Sequence, residues 1–479
     1  MRTRPDSTAG AAPSRGRPRR DYLRWAQRPS YRWVVLFMGF VAVFGAIGFG
    51  RFGYSAILPT MQEGLGISSA AAGSLASWNL AGYVLMAAVG GIIASRFGPR
   101  LVVGVGSFVA AAGMLLSGLA SGMVLASLAR LLTGVGAGMV LVPSVALMSA
   151  WFDVRRRGMA SGVVSSGSSL ALVITGPVVP RIIEAGGADG WRTAWYFFAA
   201  LTLVVGVLTV VIQRNRPGTA ADEPAMKGSI WTAETGRNRL KSLDDAALSA
   251  TIASWAIKPT RTARATFDLS RVFRSRYAWH LGLVYFLFGF AYMVYFTFFQ
   301  KRLTADLGLS ANAAGNLFLI LGVASIVCGL LWGIISDRIG RGRAIAINCF
   351  IQAVAATLFA LCPSMPGLVI SAFLFGLTSI AVPGIVGAGC GDQFGPMLAS
   401  ASLGFVTVFL GIGQVLGPYL AGVMDDVFGS LTYSYLLATG VFFVGAALAG
   451  FLQETGWAAE KRAGSVTLSA VGQSTTGRK

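Results

Sequence analysis

Apolar residues gather into twelve runs of about twenty, at about 33–58, 71–94, 101–121, 123–150, 159–183, 193–213, 279–300, 313–335, 344–362, 367–391, 399–424 and 432–453. A helix of that length crosses the roughly 30 Å hydrocarbon layer, and backbone inside lipid must satisfy its own hydrogen bonds. Each run is therefore predicted to be a transmembrane helix of an all-α membrane protein. Polar sequence frames the runs. Residues 1–32 are rich in Arg and Pro, lack the apolar core of a cleavable leader, and read as a disordered basic tail. Residues 214–278 form a basic linker and 454–479 a second tail. The expected organisation is a six-helix bundle over 33–213, the linker, and a second six-helix bundle over 279–453.

Composition agrees, with 54% hydrophobic and 12% charged residues against about 25% charged in soluble domains. A net charge of +20 could suggest nucleic acid, but its distribution argues otherwise. With the N-terminus in the cytoplasm, 33 of 39 Lys and Arg fall in inside segments. Four (Arg181, Arg192, Lys301, Arg302) fall outside, and two (Arg51, Arg130) lie within spans. This positive-inside bias places both termini in the cytoplasm of an inner or plasma membrane protein, with the bilayer and not nucleic acid as partner. Cys328, Cys349, Cys362 and Cys390 have no paired spacing, so no disulfide framework or metal site is expected, and no cofactor. In the linker, 243–257 reads as an amphipathic surface helix, and 263–278 as a basic approach to the seventh span.

The chain repeats itself. LGISSAAAGSL (65–75) answers LGLSANAAGNL (307–317) at an offset of 242, as GIIASRFGPR (91–100) answers GIISDRIGRGR (333–343). Pro143 answers Pro383, and GP at 176–177 answers GP at 417–418, at nearly the same offset. Two related halves with a substrate site between them at mid-membrane are the plan of many secondary transporters.

GIISDRIGRGR resembles the loop signature G-x-x-x-D-R-x-G-R-[RK] of the major facilitator superfamily. LARLLTGVGAG (128–138) resembles its fourth-helix motif, with Arg130 in place, and GQVLGPYLAG (413–422) its G-x-x-x-G-P-x-x-G-G pattern, here in the eleventh helix. The resemblance spans about residues 33–453. It implies the two-bundle fold, a latch built on Asp337, Arg338, Gly340 and Arg341, motif roles for Gly417 and Pro418, and a share in proton or substrate handling for Arg130, whose alternative role is to hold the first bundle together through backbone carbonyls. In the first half Ser95 stands where that loop usually has Asp and Pro99 where it often has Arg. Leu172 breaks the fifth-helix signature, which weakens a drug-efflux reading. RFGYSAILP and WFDVRRRGMASG (151–162) are similar to the branch of monocarboxylate carriers and oxalate–formate exchangers. An arginine common in that branch's eighth helix is absent from 313–335.

Arg51 is the residue that needs a reason, since an arginine at the centre of a span costs about 2.5–3.5 kcal/mol. At helical spacing Gly48, Arg51, Tyr54 and Ser55 share a face. That face either lines the central cavity and offers a fork to an anion, or Arg51 snorkels to the outer headgroups. Further candidate lining residues are Asn79 and Tyr83 of the second helix, Tyr285, Tyr292 and Tyr295 in the aromatic stripe of the seventh, and Gln414 of the eleventh. No Asp, Glu or His lies in the interior of a span, so the cavity offers cations and no anion. These residues predict a monomeric, non-enzymatic carrier of small organic anions working by alternating access, with protons or exchange as coupling. An efflux transporter for neutral or amphiphilic compounds and a non-transporting sensor are the rival readings.

Overall fold

The computed structural model describes residues 31–152, 156–215 and 270–452; the tails, the 243–257 segment and most of the linker lie outside the described residues. The described residues are helical and contain no strand. Before the repeat boundary run α1 (Tyr31–Leu65), α2 (Ser69–Phe97), α3 (Pro99–Gly118), α4 (Met123–Trp151), α5 (Arg157–Gly186) and α6 (Gly190–Ile212). After it run α7 (Arg276–Asp306), α8 (Ala311–Ile339), α9 (Arg341–Leu361), α10 (Met365–Gly395), α11 (396–428) and α12 (Thr432–Gly450). Gly187–Asp189 break one long apolar stretch into α5 and α6, and Gly395, at φ 74°, breaks another into α10 and α11.

The duplication is written into the backbone. Left-handed glycines recur at the 242-residue offset, Gly66 with Gly308 (φ 62° and 66°), Gly98 with Gly340 (86° and 94°), and Gly187 with Gly429 (59° and 67°). Each stands where a helix must stop and the chain turn back, a conformation that costs an L-residue about 1–2 kcal/mol. Ser68 and Ser310 share the offset and cap α2 and α8 through Ala71 N–H and Ala313 N–H. The fold is two pseudo-symmetric six-helix bundles.

Helices outrun their apolar stretches by a turn or more. Glu63, Asp337, Asp392, Asp425 and Asp426, expected at ends or in loops, all lie within helical ends. A helix goes on hydrogen-bonding beyond the hydrocarbon, where hydropathy no longer reports it.

The bundles meet along α2–α11, α5–α8 and α1–α7, closely at one end only. A Cβ on Gly73 would stand 2.1 Å from the Pro418 carbonyl oxygen, and one on Gly422 2.2 Å from that of Ser69. On the other seam Gly176 and Gly315 approach backbone to backbone, at 2.4 and 2.1 Å for the corresponding positions. Towards the opposite end, Gly158 and Gly162 of α5, Gly329 and Gly333 of α8 and Gly404 of α11 face open space. The halves are thus latched at the end bearing the α1–α2 and α7–α8 turns and splayed at the end bearing Gly98 and Gly340.

Candidate functional site

α1 changes character where its charge sits. From Phe44 to Phe52 its hydrogen bonds widen to a π-helix, in a segment carrying Gly45, Gly48 and Gly50 and followed by Gly53. Gly48 lets α1 lie directly on α5, where a Cβ would come within 2.3 Å of that of Ala171. π-turns recur at functional sites, and here the wider turn separates Arg51 from Tyr54, which the even helical spacing had placed on one face.

Arg51 points inward. Its guanidinium carbon sits 4.3 Å from the centre of the Tyr83 ring, a cation–π contact between α1 and α2. Its Nε and Nη2 are buried and bond to nothing, and no carboxylate among the described residues pairs with it. Two of its guanidinium nitrogens thus lie within the protein.

From the other half, Tyr285, Phe288, Tyr292 and Phe296 stack in sequence along α7, at centroid spacings of 6.2, 5.3 and 4.9 Å. Tyr292 lies within electrostatic reach of both Arg51 and Tyr83. Phe296 meets Phe52, the neighbour of Arg51, at 4.8 Å across the interface. Gln414 of α11 packs beside Gly289 of α7, and its buried Oε1 has no partner. Arg51, Tyr83, Tyr285 and Tyr292 therefore approach one another from α1, α2 and α7, with Gln414 of α11 packed on α7 at Gly289.

Three expected lining residues turn elsewhere, and a fourth, Ser55, is buried without a partner. Tyr54 is buried, donates to the Ala72 carbonyl at 2.7 Å, and lies under the Arg130 guanidinium at 4.3 Å. Asn79 faces α4, donating to the Arg130 carbonyl at 3.2 Å. Tyr295 stacks on Phe375 at 3.6 Å and shares a 2.7 Å hydrogen bond with Ser371 inside the second bundle. The α7 stripe splits because residues three and four apart drift around a helix carrying aromatics on nearly every side.

Arg130 holds the first bundle together. Its Nη1 donates to the Gly50 carbonyl at 2.6 Å, tying α4 to the π-segment of α1, and its face covers Tyr54 and Trp195. At the splayed end Asp337 meets another side chain of the loop motif. It pairs with Arg341 at 2.5 Å, and Arg341 reaches Asp392 at 3.0 Å, joining the α8–α9 turn to α10, while Arg338 is exposed. Gly417 lies on the Phe290 carbonyl of α7 and Pro418 on Gly73 of α2, so the GP pair is a packing element.

The sequence reading passed over the latched end. There Ser69, Lys301, Asp425 and Asp426 bond across the two halves. A cavity of about 580 Å³ opens beside them, lined by Pro59, Gln62, Glu63, Gln300, Lys301 and Thr304 among others, and none of the Arg51 group lines it. An adjacent acid pair directly after the eleventh apolar run was the signal that could have revealed this cluster.

Repeated bundles, close glycine seams and an inward-facing charge define a multi-pass membrane transporter. The chain belongs to the Major Facilitator Superfamily, whose profile matches residues 40–302. A second profile, described as "Uncharacterised MFS-type transporter YbfB", matches residues 241–450. Among curated relatives, "Probable sulfoacetate transporter SauU" of Cupriavidus necator is 24% identical over 84% of this chain and 89% of its own. Monocarboxylate transporter 13 of Bos taurus is 24% identical over 74% of each chain. Human monocarboxylate transporter 12 is 24% identical over 77% of this chain and 70% of its own. Of solved structures, the nucleoside transporter NupG superposes with a TM-score of 0.64 at 14% identity, covering 87% of this chain and 98% of that one. A bacterial homologue of the human lysosomal transporter Spinster, inward-facing and unoccupied, gives 0.58 at 17% identity over 91% and 97%. These likenesses establish the fold.

Proposed function

We propose that this chain carries small organic anions, of monocarboxylate type, across the cytoplasmic membrane by alternating access, as a monomer with both termini inside. The observation that carries the reading is the empty edge of Arg51. Nε and Nη2 share one edge of the planar guanidinium, the edge that grips a carboxylate or sulfonate through two parallel hydrogen bonds. Buried donors without partners are costly, and no acid among the described residues reaches them. A travelling anion completes the set, with Tyr83 backing the cation and Tyr285, Tyr292 and Gln414 closing the site from the second half. The relatives named for sulfoacetate and monocarboxylates, all small acids, support the same class. With the positive-inside bias setting orientation, the splayed end faces the cytoplasm.

Charge favours exchange as the coupling. An empty site carries the Arg51 cation through a low-dielectric barrier, whereas a monoanion neutralises it, so the loaded carrier reorients more readily than the empty one. No carboxylate or histidine in the interior of a span could neutralise the arginine in its place. The test is uptake of a panel of labelled carboxylates and sulfonates into proteoliposomes, empty or preloaded with unlabelled anion, with and without a pH gradient. Uptake restricted to anions and accelerated by preloading is expected. Uptake of a neutral amphiphile that Arg51→Ala leaves at full rate would overturn the anion reading in favour of the efflux one.

A further inference from the structure

We propose that Asp425 and Asp426 of α11, with Lys301 of α7, form a one-sided charge bolt that holds the outer gate shut by gripping the first turn of α2.

The contacts are specific. Asp426 takes the Ser69 N–H on one carboxylate oxygen at 2.7 Å and the Ala70 N–H on the other at 2.8 Å. Ser68 takes the third, from Ala71, at 3.2 Å. Three of the four amides that the start of a helix leaves without partners are thus satisfied, two of them by the opposite half of the molecule. A carboxylate there also meets the positive end of the dipole of the 29-residue helix α2. Asp425 accepts the Ser69 hydroxyl at 2.6 Å and the Lys301 ammonium at 2.7 Å, and Lys301 also reaches the Ser69 hydroxyl. Ser69, Asp425 and Lys301 are 4%, 8% and 9% exposed, so the Asp425–Lys301 pair is held away from water, while Asp426 grips the helix start from an exposed position.

The arrangement is confined to one seam. The repeat position of Asp426 is Glu184 on α5, which is exposed, and α8 begins with its own Ser310 cap while Ala311 and Asn312 stay exposed. The α5–α8 seam closes instead on the Gly176–Gly315 backbone contact, which has no charge to release. Opening the outer side must therefore withdraw both acids from α2 together. Lys301 and its ion pair stay with the second half, because Lys301 and Asp425 both belong to it. No part of this closure involves the Arg51 site, so it acts on the empty carrier.

The test is cysteine access without substrate. Ala76→Cys puts a thiol on α2 at a position 4% exposed in the latched arrangement. Its reaction with a membrane-impermeant maleimide added outside reports opening, counted against the same protein lacking that cysteine. Asp425→Asn with Asp426→Asn is expected to raise the labelling rate about tenfold or more, the loss of two charge-assisted contacts. Asp426→Asn alone, which keeps the Asp425–Lys301 pair, should give a smaller rise with the melting temperature little changed. Glu184→Gln should leave the rate unaltered. An unchanged rate in both bolt variants, or an equal rise in Glu184→Gln, overturns the proposal, as does labelling only in inside-out vesicles. Failure here leaves the anion reading standing, since no substrate enters the measurement.

Discussion

Replacing Arg51 with Gln keeps a polar side chain of similar length but removes the charge, the rigid fork and the stacking on Tyr83. Two charge-assisted hydrogen bonds to a bound anion are lost, each worth about 1.5–3 kcal/mol, whereas the Tyr83 contact is present without ligand and its loss, about 0.5–2 kcal/mol, falls on stability. Losses of this kind are not additive, and breaking one partner of a buried charge pair typically costs about 2–5 kcal/mol in affinity. At about 1.4 kcal/mol per tenfold, the anion Kd should rise at least about 30-fold. Stability responds differently. In the empty protein the Arg51 Nε and Nη2 are buried and unpaired, so the side chain stabilises nothing through them. Relief of two unpaired buried donors offsets the lost Tyr83 stacking, so Arg51→Gln should melt close to the parent protein, the mark of a residue kept for its ligand. Arg51→Lys, which retains charge without the fork, should fall between the two. Binding by ligand-induced thermal shift, alongside proteoliposome uptake, reads both quantities. An unchanged Kd in Arg51→Gln, or a marked fall in melting temperature without ligand, would refute the reasoning.

Tyr83→Phe preserves the ring under Arg51, so anion affinity should stay within about threefold, whereas Tyr83→Leu should weaken it about 5- to 30-fold in the same thermal-shift titration. Arg130→Met should act on stability, because the Gly50 carbonyl loses its 2.6 Å donor and Tyr54 and Trp195 lose their cation. About 2–3 kcal/mol is expected, read as a lowered unfolding midpoint. Gly176→Val sets a branched side chain against the Gly315 backbone, 2.4 Å from its Cβ position, and should abolish transport by keeping the α5–α8 seam from closing. Gly329→Ala, in open space, should transport normally. Ala at Gly340, where φ is 94° and ψ 157°, should cost about 1–3 kcal/mol by thermal melt, since that region of backbone space is nearly restricted to glycine.

Much of the architecture lies in plain view along the chain. A membrane leaves an apolar segment of twenty residues one stable form, so the helices and their number follow from hydropathy alone. The 242-residue offset carries the duplication, because equal turns need equal caps and equal left-handed glycines, as at Gly66 and Gly308. Arg51 announced itself by its cost. Which side chains share a site with it was a different matter. Tyr54, three residues away, turns into the first bundle because α1 is a π-helix up to Phe52, a local widening that residue spacing does not encode. Tyr295 and Asn79 turn away because every face of α7 and α2 carries a residue able to line a cavity, and only the neighbouring helices select among them. The bond between Asp426 and the start of α2 joins residues more than 350 positions apart, and its strength comes from a helix end that exists only once the backbone has coiled. Local composition settles what each segment must be, because burial in lipid is a demand on single helices; which residues meet is settled by packing between helices, where the energy belongs to pairs.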